Sequence, residues 1–475
     1  MHPGRIQALS PFDHVAVHLY LHWVTAFRIP EGVAANEVFW HLRSGLEKTI
    51  QDIPAIAGEL LPLDPDEIDN RQGRWGIQLS EDQSVDQVLF QKDYTQNEKL
   101  NYERLVAMGM PPSELDVNEL GAIGLWCGEG QRRGVFLAQV NFVCGGLLLS
   151  TCVNHHALDA IAMGVIITRW ASHCQNIDLS SGERKPLLPV LSEACFDRSI
   201  LPQPALESES YETLKDRLEL WAALGLPPYL HYPPSDPNTL PTPGPKLRNT
   251  ILSFSKHKLK LLKEDASQPS GNEWISTNDA LMALFWRSIM RSRLGSDIPN
   301  SEQNPTTTEL SSVFIMVISG RARLSPALPE SYLGNAVLHG TSTALDPTKS
   351  SLAELALVLR SSLAAITPEV ASSSLKLAAH IPDYKLAHSS FPTALDTLLV
   401  ATNWAGVPLY SLTWGNPLYG PAEFVRLPRG HMEGVLRVLP RRVDDTLEVF
   451  LGLETDVMGR FLKDPDIVKY GVPLF

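Results

Sequence analysis

Val135 to Asn141 is largely apolar and β-prone, Cys144-Gly145-Gly146 is a turn signal, and Leu147 to Val153 is apolar again. Short apolar runs on either side of a turn predict two buried strands joined tightly. After them Ala160, Met163, Ile167, Trp170 and Cys174 recur at helical spacing, which predicts a helix with one apolar face. The loop between the second strand and this helix is Asn154-His155-His156-Ala157-Leu158-Asp159.

The later part of the chain repeats the alternation. Thr250 to Phe254 reads as a strand, and Ser276 to Ser292 as a helix with Ser276 as N-cap and Asp279 in a capping-box position. Further strands are predicted at Ser312 to Ser319, Thr397 to Thr402, Gly434 to Leu439 and Leu447 to Leu453, and a terminal helix at Glu454 to Leu462. Between the two parts lies a proline-rich stretch, with Pro227-Pro228, Pro233-Pro234 and Pro237 among its members. Proline fixes φ and removes a donor, so this stretch resists helix and sheet interiors, apart from a helical island near Tyr211 to Leu224. The expected organisation is an N-terminal α/β half (1–186), a crossover (187–246) and a C-terminal α/β half (247–475).

Composition narrows the function. With 475 residues, 44% hydrophobic and 20% charged, the chain is a globular protein of more than one core. A net charge of −13 argues against nucleic-acid binding, and an anionic ligand would need a local basic patch. No apolar run reaches the ~18 residues of a membrane span. The start, Met1-His2-Pro3-Gly4-Arg5, lacks an apolar segment of the secretory kind. Five cysteines with no CxxC suggest buried, reduced thiols, hence a cytoplasmic protein.

His155 and Asp159 are the first candidates for chemistry. Imidazole suits proton abstraction near neutral pH, and a strand-to-helix loop exposes it on a fixed frame. Asp159, at the start of the helix, can bond loop donors or pair with a distant arginine. HxxxD alone does not distinguish a catalytic histidine from a surface one. His156 competes with His155, because neighbouring side chains leaving a strand face opposite sides, and the spacing to Asp159 favours His155. No third ligand at a recognisable spacing supports a metal. There is no G-x-S-x-G elbow and no phosphate-binding GxxxxGK loop, and Gly128, Gly130 and Gly134 read as a turn before a strand.

Several segments, in order along the chain, resemble one family. Ser10-Pro11-Phe12-Asp13 is similar to the N-terminal start of the BAHD acyltransferases. Cys144-Gly145-Gly146 through Asp159 resembles their HxxxD region, and Cys195-Phe196-Asp197-Arg198 the opening of their crossover. Asn278-Asp279-Ala280-Leu281 with Trp286-Arg287, then Arg321-Ala322-Arg323 with Tyr332-Leu333-Gly334-Asn335, resemble later family segments. Thr402-Asn403-Trp404 and Pro408-Leu409-Tyr410 resemble the approach to the family's DFGWG motif. The style is closest to the fungal, trichothecene-acetyltransferase-like branch. Two positions depart: Ala160 replaces the glycine after HxxxD, and DFGWG is eroded to Thr413-Trp414-Gly415, with Tyr419-Gly420-Pro421 beyond.

The resemblance implies a two-domain α/β fold of the chloramphenicol-acetyltransferase type, with mixed sheets and a tunnel between the halves. It implies acyl-CoA, expected to be acetyl-CoA, as co-substrate without a metal, and a small-molecule secondary metabolite as hydroxyl acceptor. His155 would be the general base. Thr402 and Trp404 would stabilise the oxyanion, with an aromatic core anchor as the second reading of Trp404. Asp159 would pair with Arg321 to shape the loop. Ser276 and Thr277 would meet CoA phosphates at a helix N-terminus, or simply cap that helix. Gly415 and the segment around it would be structural. A monomer is expected. A carrier-protein thioester donor, an amine acceptor, or a non-catalytic binding protein remain the alternatives.

Overall fold

In the computed structural model the described residues are 5–65, 69–79, 82–128, 130–177, 188–199, 209–227, 246–267, 273–294, 311–387, 397–418, 420–429 and 432–475. Much of the proline-rich crossover, and Tyr419 of the eroded motif, lie outside them.

Among the described residues the strands in chain order are β1 (Ile6–Ala8), β2 (Tyr20–Arg28), β3 (Glu59–Leu63), β4 (Arg74–Gln78), β5 (Leu89–Tyr94), β6 (Phe136–Val143), β7 (Gly146–Asn154), β8 (Leu247–Phe254), β9 (Ser311–Ser319), β10 (Val337–Leu345), β11 (Leu398–Asn403), β12 (Phe424–Arg426), β13 (Val435–Val438), β14 (Leu447–Glu454) and β15 (Val472–Pro473). They form three sheets. The first half builds the order β12-β2-β7-β6-β5, antiparallel except for β5 on β6. The second half builds β10-β9-β11-β13-β14-β8-β15, in which β11 runs parallel to both neighbours. A small sheet, β1-β4-β3, stands apart. Both large sheets are therefore mixed, and the fold is α/β in two halves.

The β6–β7 hairpin follows from the predicted pattern. Every residue of both strands is buried, as continuous apolar runs require. Gly145 takes φ +84° at the turn, a left-handed conformation that glycine adopts without a Cβ penalty. The helix Ala160–Gln175 then packs back with the helix Ala35–Asp52 against the first sheet.

The halves interlock. β12, late in the chain, adds to the edge of the first sheet with Phe424 opposite Ala26. Trp404 packs its ring edge-on to Trp23 at 5.6 Å, and Trp414 meets Trp170 at 5.4 Å, so the C-terminal half reaches into the first core.

The helical island differs from expectation. It is two short helices, Tyr211–Leu214 and Leu218–Leu224. The Lys215 carbonyl between them accepts a bond from the Trp221 indole at 2.7 Å, and Arg217 takes an extended N-cap conformation, which breaks the run. The five cysteines are unpaired, but only Cys152, Cys174 and Cys195 are buried; Cys144 is exposed on the hairpin turn.

Candidate active site

β7 ends at Asn154, and the next residues leave the sheet on opposite sides. The backbone N–H of His155 donates to the Leu19 carbonyl at 2.8 Å, and that of His156 to the Asn154 side chain at 3.2 Å. These bonds fix the loop. His155 faces a cavity of about 180 Å³ between the halves, lined also by Asn335, Thr402, Trp404, His339 and Arg437. His156 faces the other way, is fully buried, and stacks on His18 at 3.8 Å between ring centroids. Burial first, then the neighbouring His18 and His14, push its pKa well below 6.5, so it stays uncharged.

The orientation of the His155 ring follows from its neighbours. Asn335 donates both its backbone N–H (2.8 Å) and its Nδ2–H (2.9 Å) to Asp13 Oδ1. The same Nδ2 donates to the His155 carbonyl at 2.9 Å. The amide oxygen is thereby left to face His155 Nδ1 at 3.2 Å, where it can only accept. Nδ1 therefore carries the proton, and Nε2 is the acceptor nitrogen. Asp13 is itself fixed: its Oδ2 accepts from the Ser10 N–H at 2.8 Å and from Arg198 Nη1 at 2.5 Å, and it is fully buried. Arg198 also donates to the carbonyls of Ala157 (3.0 Å) and Leu333 (2.8 Å). Two charges and an amide thus hold the histidine loop against the C-terminal half.

Asp159 works on a second strut. It is the N-cap of the helix Ala160–Gln175, with Oδ1 accepting from Ala162 N–H at 2.9 Å. Both its oxygens receive Arg321, at 2.7 and 2.9 Å, and Oδ2 also accepts from Ala336 N–H at 3.1 Å. Burial would raise this carboxyl, but the Arg321 charge and the converging N–H groups outweigh it and hold its pKa below the usual range. Arg321 adds bonds to the Tyr332 and Gly334 carbonyls. Asp159 makes no bond to His155; the pair with Arg321 shapes the loop.

Thr402 and Trp404 line the cavity, and neither the threonine hydroxyl nor the indole N–H has a hydrogen-bond partner among the described residues. Ser276 and Thr277 lie apart from this group. Ser276 caps the helix Thr277–Leu294 reciprocally: its N–H donates to Asp279 Oδ2 at 2.7 Å and its hydroxyl accepts from Asp279 N–H at 3.2 Å. This helix end nevertheless touches the cavity rim, because Asn278 accepts from Asn403, a lining residue, at 2.7 Å. Beside it the exposed indole of Trp274 is flanked by Arg360 and Lys263 at 4.7 and 5.4 Å; Arg360 is itself paired with Asp279, which leaves Lys263 as the local cation for an anionic ligand.

Gly415 is tied to packing. It has φ +75°, and a Cβ there would sit 2.9 Å from the Cys174 carbonyl oxygen and Gln175 Cα. Thr413, where the family carries aspartate, accepts a bond from the Gln175 amide, and His41 bonds the Trp414 carbonyl at 2.6 Å. Hydrogen bonds thus hold the eroded motif in place.

Asn335, Asp13, Arg198 and Arg437 had no role assigned from the sequence. The first three sit inside recognisable segments, but their convergence on one loop is a tertiary fact. Arg437 could have been noticed as the lone charge within the apolar run Val435 to Leu439.

A mixed-sheet α/β fold in two halves, with a histidine lining the cavity between them, defines an acyltransferase of the chloramphenicol-acetyltransferase architecture. Residues 127–467 match the Transferase family, and residues 19–174 match the Trichothecene 3-O-acetyltransferase-like N-terminal domain. The chain belongs to this transferase family, that of the BAHD enzymes, and is an acyl-CoA-dependent O-acyltransferase. It is similar to the eremophilane O-acetyltransferase prx11 of Penicillium rubens, 30% identical over 78% of each chain. Its fold is similar to that of F. sporotrichioides TRI101 complexed with coenzyme A and T-2, with a TM-score of 0.80, 20% identity, and 99% and 100% of the two chains covered. Vinorine synthase shares the fold at a TM-score of 0.61 and 14% identity, over 97% and 92%.

Proposed function

We propose that this enzyme moves an acetyl group from acetyl-CoA to a hydroxyl of a small secondary metabolite, with His155 as general base. The observation that carries the reading is the Asn335 amide oxygen on His155 Nδ1, which leaves Nε2 as the proton acceptor beside the cavity. An alcohol is a poor nucleophile at pH 7. Nε2 takes its proton while the oxygen attacks the thioester carbonyl. The carbon–oxygen bond forms and the carbonyl oxygen becomes an oxyanion, for which the Thr402 hydroxyl and Trp404 N–H are the available donors. As the intermediate collapses, the carbon–sulfur bond breaks and protonated His155 returns its proton to the CoA thiolate. Asp13, Asn335, Asp159 and Arg321 position the base and do not exchange protons.

Acyl-CoA is expected to enter past Asn403 and the Ser276–Thr277 helix end, with its phosphates near Lys263. The curated relative named for eremophilane acetylation makes hydroxylated eremophilanes the first acceptors to try. We take the enzyme to be cytoplasmic and monomeric. The test is thiol release from acetyl-CoA with that acceptor panel: turnover by the wild type and none by His155→Ala supports the reading. Equal turnover by both proteins, or transfer to amines alone, rejects it.

A further inference from the structure

Strand β13 alternates. Leu436 and Val438 are fully buried in the C-terminal core, whereas Val435 and Arg437 line the cavity. In register with Val435 are Val400 and Ile315, and in register with Arg437 are Thr402 and Val317. Arg437 is thus the one Lys or Arg among the described lining residues, set in an apolar wall on the strand beside Thr402.

A buried guanidinium normally has a carboxylate, because an unpaired charge out of water is unfavourable. The other buried arginines among the described residues obey this. Arg74 has Asp69, Arg169 has Asp52, Arg198 has Asp13, Arg321 has Asp159 and Arg426 has Glu448. Arg437 is only 9% exposed and has none among the described residues. Its hydrogen bond is a long one, 3.5 Å, to the carbonyl of Val435 on its own strand, and its guanidinium lies 6.0 Å from the centre of the Phe450 ring. Burial alone lowers its pKa, to about 10, which leaves it cationic at neutral pH. The one carboxylate on the cavity lining, Asp159, is committed to Arg321.

We infer that Arg437 is a receptor for a carboxylate carried by one of the two substrates, either the acceptor or the far end of a dicarboxylic acyl chain. The inference rests on the acyltransferase reading above and adds a substrate class to it. A planar guanidinium receives a carboxylate through paired N–H bonds. A neutral carbonyl would leave the charge uncompensated. The CoA phosphates belong to the exposed rim, so binding of CoA itself does not depend on Arg437.

The test uses the full chain and calorimetric dissociation constants. One pair is malonyl-CoA against acetyl-CoA. The other, with CoA present, is 4-(hydroxymethyl)cyclohexanecarboxylate against its methyl ester. In one pair the wild type is expected to bind the carboxylate at least roughly tenfold more tightly, about 1.4 kcal/mol. Arg437→Leu should erase that preference, Arg437→Lys should keep part of it, and CoA affinity should stay within about twofold in both. Which pair responds identifies the source, and a response from the donor pair alone replaces acetyl with a dicarboxylic acyl group. No carboxylate preference in either pair, a preference that survives in Arg437→Leu, or an equal loss of CoA binding overturns the inference and leaves the acyltransferase reading standing. Failure of the wild type to bind CoA at all removes that reading, and the inference with it.

Discussion

Asn335 presents its amide oxygen to His155 Nδ1 at 3.2 Å while its amide nitrogen is held by Asp13 at 2.9 Å. A carboxylate therefore sets the direction of the amide, and the amide sets the tautomer of the imidazole. Asp13 is separated from Asn335 by 322 residues in the chain, so this relay exists only because the halves close on each other.

Asn335→Ala should lower kcat by roughly 100-fold, since the ring loses both its orientation and its tautomer preference. The Michaelis constant for acyl-CoA should change less than about twofold, because Asn335 supports the base and does not bind the donor. Steady-state kinetics with both substrates varied will show it. A kcat within about threefold of wild type would remove Asn335 from the positioning network.

The strut at Asp159 predicts a different phenotype from the base. Arg321 is 3% exposed, and Asp159→Ala strands its charge in the interior. Losing one partner of a buried pair typically costs about 3–5 kcal/mol, with about 1 kcal/mol more for the lost N-cap. His155→Ala removes a half-buried side chain whose ring makes one long bond, and should leave the denaturation midpoint close to wild type while abolishing turnover. If Asp159→Ala melts like wild type and loses only activity, the carboxylate has a chemical role that its geometry does not suggest.

How far the sequence carried can be judged from these residues. The β6–β7 hairpin, the helix after it and the HxxxD loop were legible, because continuous apolar runs, a turn and helical spacing act locally. The split of Tyr211 to Leu224 was not, because it depends on an indole reaching back to a carbonyl. Spacing to Asp159 favoured His155 over His156, but spacing alone did not make the choice secure. In the fold, the side of β7 that meets the C-terminal half is the one that puts His155, and not His156, on the cavity lining. β12 joining β2, and Arg198 bonding Ala157, are pairings of distant segments that no window of sequence contains.

Acid should destabilise the protein well before carboxylates titrate. Burial lowers His14, His22 and His339 from 6.5 to about 4, and His156 well below 6.5. The unfolded chain binds these protons near pH 6.5 and the folded chain does not. Their contribution is therefore intact above about pH 6.5 and is lost as pH falls toward 4. Each such group adds a slope of roughly 1.4 kcal/mol per pH unit within that window. Urea unfolding from pH 7.5 to 4.5 should show a steep decline, and His22→Gln should flatten it. A free energy that stays level across the range would contradict the burial of these rings in the neutral state.

In the proposed mechanism Thr402 and Trp404 offer two donors to one developing charge, and shape-conserving variants separate donation from packing. Thr402→Val keeps the volume and removes the hydroxyl. Trp404→Phe keeps an aromatic ring against Trp23 and removes the indole N–H. An oxyanion donor is worth about 2.7–4 kcal/mol in the transition state, so either change should cost roughly 100- to 1,000-fold in kcat with little effect on ground-state binding. If both donors serve one oxygen, as proposed, the double variant should fall short of the product of the two losses. A Trp404→Phe enzyme that keeps its kcat but melts several degrees lower would assign the indole to the core contact with Trp23 alone.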